Sequence, residues 1–162
     1  MRKLFMMIVM LSASALMAGG DKGAALSPVA GLEKNLCDTD TVYVDKIAKL
    51  MWQDAKYTDG EDGAYKRERS VGKAGSHAYA MNYCSRLNYE GFSDWRLPTS
   101  DELIEVHREH GQVFLHHRGN TFWSSTPTTE NRYEVVFPAD AYPYMRKPAS
   151  SNYIRCVRCL GE

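Results

Sequence analysis

The sequence predicts an α+β domain: two helices packed on short, mostly antiparallel strands, compact and braced by disulfides. Three observations carry this prediction. Short runs rich in β-branched and aromatic residues flank a central stretch of helical periodicity. They do not alternate with helices as a parallel βαβ fold requires. Four cysteines, Cys37, Cys84, Cys156 and Cys159, follow an N-terminus that has the form of an export signal.

That signal is tripartite. Arg2 and Lys3 precede the apolar run Leu4 to Leu11, and small residues follow through Gly20. The run is too short to cross a bilayer, which takes about 20 residues. Ala13–Ser14–Ala15 fits the cleavage pattern, and Ala18–Gly19–Gly20 offers a second site. We therefore read 1–20 as a signal peptide and expect a periplasmic or secreted protein without a membrane span. Residues 21–36 are rich in Gly, Ala, Ser and Lys and read as a tether. Residues 37–162 form one domain, long enough for a single core.

Within the domain, residues 41–44 and 49–53 read as two strands joined by a turn. Residues 54–73 are polar and Gly-rich and read as a loop. Its acidic run, Asp59 to Gly63, offers calcium-type oxygens without the EF-hand spacing. Ala78, Met81, Cys84 and Leu87 mark one stripe of a helix over 76–88, with Cys84 on the buried face. A second helix opens at Thr99, where Thr99 and Glu102 form a capping box, and closes at Gly111. Strands follow at 121–125, 133–137 and 152–158. Trp52, Trp95 and Trp123 each sit in an ordered segment, which predicts core packing.

Four cysteines allow three pairings. On a strand, Cys156 and Cys159 would be about 10 Å apart at Cα, beyond the roughly 7 Å that a disulfide spans. Each then needs a distant partner. A redox CxxC needs a helix start after a strand, and only three residues follow Cys159. The inward faces of the first helix and last strand predict Cys84–Cys156, and elimination leaves Cys37–Cys159.

Charge excludes one class. Two of the 20 basic residues, Arg2 and Lys3, and none of the 20 acidic ones lie in the signal, leaving 18 basic against 20 acidic side chains. General nucleic-acid binding needs a strongly basic surface. Catalytic signatures are missing too. Ser124 and Ser125 sit in no G-x-S-x-G elbow. No phosphate-binding glycine loop occurs, and the zincin pattern is absent. His107 and His110 share a helix face near Glu102, Glu105 and Glu109. They define the alternative reading, a periplasmic enzyme or metal-binding protein. We assign no cofactor.

One string is distinctive: Gly91–Phe92–Ser93–Asp94–Trp95–Arg96–Leu97–Pro98–Thr99, followed by Glu102–Leu103. Leu50 to Asp54 and Ala80 to Cys84 precede it; Phe122 to Thr126 and Arg155 to Arg158 follow in order. Together these residues resemble the Lcl C-terminal domain family from Val42 to Arg158. The chain departs from the family pattern at Ala48–Lys49, where Thr-Gly is usual, and in its extra Cys37 and Cys159. The resemblance implies a C-type lectin-like fold, similar to formylglycine-generating-enzyme-like domains. It also implies kinship with surface adhesins that bind sulfated glycans, and it supplies no catalytic residues. Physically the string is a corner. Pro98 holds Leu97 extended, Thr99 caps the next helix, and Trp95 and Leu97 point inward together while Arg96 faces away.

The leading functional reading is a non-enzymatic binding module whose partner is an anionic polysaccharide or cell-surface glycan. Its candidate contacts are His116, His117 and Arg118, then Arg132, then Arg146 and Lys147 in a loop flanked by Pro143 and Pro148. Loops on a rigid scaffold commonly carry binding groups, and the planar fork of arginine suits sulfate or carboxylate.

Overall fold

The computed structural model describes residues 41–161, except for the side chain of His110. The expected signal peptide, the tether and Cys37 lie outside the described residues. Among those described, no helix is long and apolar enough to cross a membrane.

The predicted first hairpin is present. Strand β1 (Thr41–Asp45) pairs antiparallel with β2 (Leu50–Asp54), and Asp45 closes the turn by accepting from the backbone N–H groups of Ile47 and Ala48. Next comes a helix where a loop was expected: α1 (Asp59–Lys66). Its start is a capping box between Thr58 and Glu61. Glu61 then reaches across the chain, accepting from the backbone N–H of Lys73 at 2.6 Å and from its ammonium at 3.0 Å. Gly72 allows that approach, because a Cβ there would lie 2.2 Å from Glu61 Oε1. The acidic run is therefore helical, and two of its three carboxylates have partners within the protein.

Strand β3 (Ala74–Gly75) leads into α2 (His77–Ser85). The stripe expected at every third residue is corrected here. His77, Ala80 and Cys84 are buried, whereas Ala78 and Met81 face outward. A repeat of three drifts off the face of a 3.6-residue helix, so Cys84 was placed correctly and Met81 was not. Helix α3 (Ser100–His110) has the predicted capping box at Thr99 and ends at Gly111, whose φ is +65°. Leu103 and Val106 are its buried side.

The last third is strand-rich: β4 (Phe122–Pro127), β5 (Tyr133–Phe137), β6 (Tyr142–Arg146), β7 (Asn152–Tyr153) and β8 (Val157–Cys159). The strand expected across 152–158 is interrupted, and its halves join different sheets. One sheet runs β1-β2-β8 and the other β3-β7-β4-β5-β6. All pairings are antiparallel except the single Phe122–Tyr153 contact of β4 with β7. The loop expected between Pro143 and Pro148 is strand β6 as far as Arg146. It is the edge of its sheet, the place where a strand tolerates proline.

Two clusters form the core. The first gathers Trp52, Tyr57, Leu103, Val106, Phe114, Phe122 and Val157, and the second Trp95, Leu97, Trp123, Val135 and Ile154 around the disulfide. Cys84 and Cys156 are bonded as predicted, closing a sequence separation of 72. A loop of that length implies stabilisation on the order of 4 kcal/mol in the chain-entropy model. Cys159 is exposed and has no disulfide partner among the described residues. The Trp-Arg-Leu-Pro-Thr corner joins the elements as expected. Trp95 donates to the carbonyl of Phe92 at 3.0 Å, and Arg96 pairs with Val157 through its backbone and with Glu102 through its guanidinium.

Candidate functional site

The structure separates the candidate binding residues into two groups, those used to hold the fold and those left open. The segment 114–118 is anchored from below. Asp54 is buried at the end of β2 and accepts from the backbone N–H groups of Leu115 at 2.6 Å and His116 at 2.9 Å. Arg155, equally buried, bonds Asp54 at 3.3 Å and the carbonyl of His116. Its guanidinium lies 3.7 Å from the Phe114 ring centroid and 5.5 Å from that of Phe122. A buried charge pair is stable only when its remaining donors and acceptors are satisfied, and here aromatic faces and backbone groups satisfy them.

Arg118 is committed as well. It forms a paired hydrogen bond with Asp62 of α1, at 2.9 and 3.3 Å, and donates to the carbonyl of Tyr57. Burial raises the Asp62 carboxyl, but bonds from Arg118 and Tyr153 outweigh it and leave the group below the usual carboxylate value. Arg132 sits beside Glu130 at 3.6 Å, on a turn remote in sequence from both other groups. His117 reaches a separate pocket of about 300 Å³, which it lines with His107, Gln112 and Arg118.

His107 is half-buried against Phe114, with ring centroids 5.6 Å apart. Burial, with the nearby Arg155 charge, holds it neutral by lowering its pKa to about 4. That is the character of a packed imidazole. Among the described residues no three His, Cys, Asp or Glu side chains converge as metal ligands. The side chain of His110 lies outside the described residues. The fifth histidine, His77, is a core residue. It stacks on Tyr133 at 3.4 Å and contacts the Ser124 carbonyl through Nε2, and burial lowers its pKa. All three tryptophans are at most 3% exposed, so none offers a face to a sugar.

Arg146 differs from Arg118 in having no such commitment. It ends β6 as an exposed residue and forms no salt bridge among the described residues. With Tyr65, Lys66 and Glu68 from the end of α1, and Ser150, Ser151 and Asn152 entering β7, it lines a polar pocket of about 260 Å³. Lys66 is likewise exposed and without an ion-pair partner there. Glu68 has a left-handed backbone (φ 54°), and its Oε2 accepts from the backbone N–H of Ser151 at 2.6 Å. Asn152 is 2% exposed; its Oδ1 accepts from Thr121, and its Nδ2 has no partner. Lys147 follows immediately, exposed in the turn toward Pro148. Of the residues lining this pocket, the sequence pointed to Arg146 alone; Lys66, Glu68 and Asn152 carried no signal there. Only the fold brings residues 80 positions apart to one pocket.

A second concavity, a shallow groove of about 470 Å³, runs along α2 between Tyr79, Asn82, Tyr83, Arg86, Leu87 and Asn88. It holds one cation and none of the predicted residues.

No curated protein matches the chain. Residues 41–158 match the model of the Lcl C-terminal domain family, from the first strand of the first hairpin into the last strand. The motifs that suggested the family are the ones that build its corner, its capped helix and its disulfide. On that match, which spans most of the chain, the protein belongs to the Lcl C-terminal domain family.

Proposed function

We propose that this domain is a non-enzymatic binding module for anionic glycans, acting outside the cytoplasm on the C-type lectin-like fold that the family resemblance implies. The supporting observation is the unpaired state of Lys66 and Arg146 at one polar pocket, with Lys147 beside it. Cations left without protein partners at a concave surface are free to take an external anion. A disulfide in the core suits an oxidising compartment.

The test uses purified protein and dextran sulfate at two salt concentrations. Binding should weaken steeply as salt rises, because exposed charges are screened over about 8 Å at physiological ionic strength. Arg146→Ala with Lys147→Ala should reduce affinity while leaving the thermal midpoint unchanged. Salt-insensitive binding, or full affinity in the double variant, would overturn the reading.

A further inference from the structure

Resting on that reading, we propose that the pocket between the end of α1 and the start of β7 is a subsite for one hexuronate unit, recognised by its carboxylate and a neighbouring hydroxyl. The donors come first. Lys66 and Arg146 supply two unpaired cations to the pocket, and Ser150 supplies a hydroxyl. Asn152 also lines the pocket. Its carbonyl is committed to Thr121 at 2.6 Å, so its amide nitrogen is turned away from that bond, buried, and unused by any protein acceptor. That nitrogen is sealed from solvent, so contacts to a ligand fall to Lys66, Arg146, Ser150 and Glu68, which line the same pocket.

Glu68 then narrows the chemistry. A site built only for sulfate clusters would be weakened by a carboxylate in its lining. Glu68 nevertheless stands there, in a left-handed conformation that costs a non-glycine residue energy. One of its oxygens is held by the Ser151 N–H. The other is suited to accept a hydrogen bond from a hydroxyl. A hexuronate carries both required groups on one ring: a single negative charge for Lys66 and Arg146, and hydroxyl donors for Glu68. Size agrees. About 260 Å³ holds a ring-sized unit, below the roughly 300–1,000 Å³ typical of pockets that enclose larger ligands. Tyr65, stacked on Tyr153 at 4.7 Å with the rings within 4° of parallel, makes one rigid wall.

Titration of the purified protein with trigalacturonate, followed by NMR, tests the assignment, with fully methyl-esterified trigalacturonate and dextran sulfate as companion probes. Trigalacturonate should bind and its methyl ester should not. Lys66→Ala and Arg146→Ala should each weaken trigalacturonate by about tenfold or more, the scale of one lost charge-assisted hydrogen bond. Glu68→Gln should weaken trigalacturonate while leaving dextran sulfate unchanged or tighter. Both cationic side chains are exposed, so these variants should keep the wild-type thermal midpoint; Asn152→Asp adds a repelling charge at the wall and should abolish uronate binding. Suppose dextran sulfate binds but trigalacturonate does not, or trigalacturonate binds Lys66→Ala and Arg146→Ala as it binds wild type. The hexuronate subsite is then wrong, although the general anionic-glycan reading survives. If neither anion binds the wild type, both fall together.

Discussion

The stretches around Arg118 and Arg146 look alike in sequence: each is a short basic run late in the chain, near aromatic residues. In the fold they do opposite work. Arg118 is drawn onto Asp62 and Tyr57, and the residues before it are pinned to Asp54 and Arg155. Arg146 ends an edge strand, forms no salt bridge among the described residues, and lines one pocket with Lys66 and Glu68. Basic composition alone does not identify a binding surface. What separates the two runs is whether the protein already supplies the anion.

This contrast can be broken experimentally, beginning where the effect is largest. Arg155→Ala leaves the Asp54 carboxylate buried and short of a partner, and should cost about 3–5 kcal/mol in urea denaturation. Restoration of stability by Asp54→Asn in the same chain would confirm that the orphaned charge is the cause. A variant that unfolds like wild type would mean the segment 114–118 is not held from below.

The next effect is a dependence on pH. His107 is held neutral in the fold by burial and by Arg155, with its pKa lowered to about 4. Because folding lowers it, the unfolded chain takes up the proton first. The stability linked to His107 is complete above about pH 6.5 and is lost as pH falls toward 4, by at most roughly 3 kcal/mol. His107→Phe should flatten this part of the acid limb. An unchanged acid profile would show that the imidazole is not enclosed.

Arg118→Ala is expected to matter less. Its pair with Asp62 is about one-third exposed on each side, so solvent screening limits the loss to about 1 kcal/mol. Dextran sulfate affinity should be retained. A fall in affinity without a fall in stability would erase the distinction between the two basic runs. The smallest effect on stability belongs to Arg146→Ala with Lys147→Ala, within about 0.5 kcal/mol, as for exposed residues without partners. Calorimetry on this variant therefore provides the reference against which any change in dextran sulfate affinity is read.

Several parts of the molecule were legible because their causes are local. Thr99 and Glu102 satisfy the start of α3 from within a few residues and Gly111 ends it, so cap and helix could be read together. The hairpin of 41–54 and the inward face carrying Cys84 follow from short-range patterns, and the Pro98 corner follows from the backbone limits of proline. Helix α1 was missed although Thr58 and Glu61 form the same capping box. Two glycines within eight residues make it a poor helix by propensity. Its stability comes from afar, through the bonds of Glu61 to Lys73 and the contacts of Asp62 with Arg118 and Tyr153. The same distance hid the pocket. By itself, the sequence determined that cations stand at 66, 118 and 146; tertiary structure decided which of them an internal carboxylate neutralises. Electrostatic pairing depends on separation in space over a few ångströms, and chain order does not encode that separation until the fold exists.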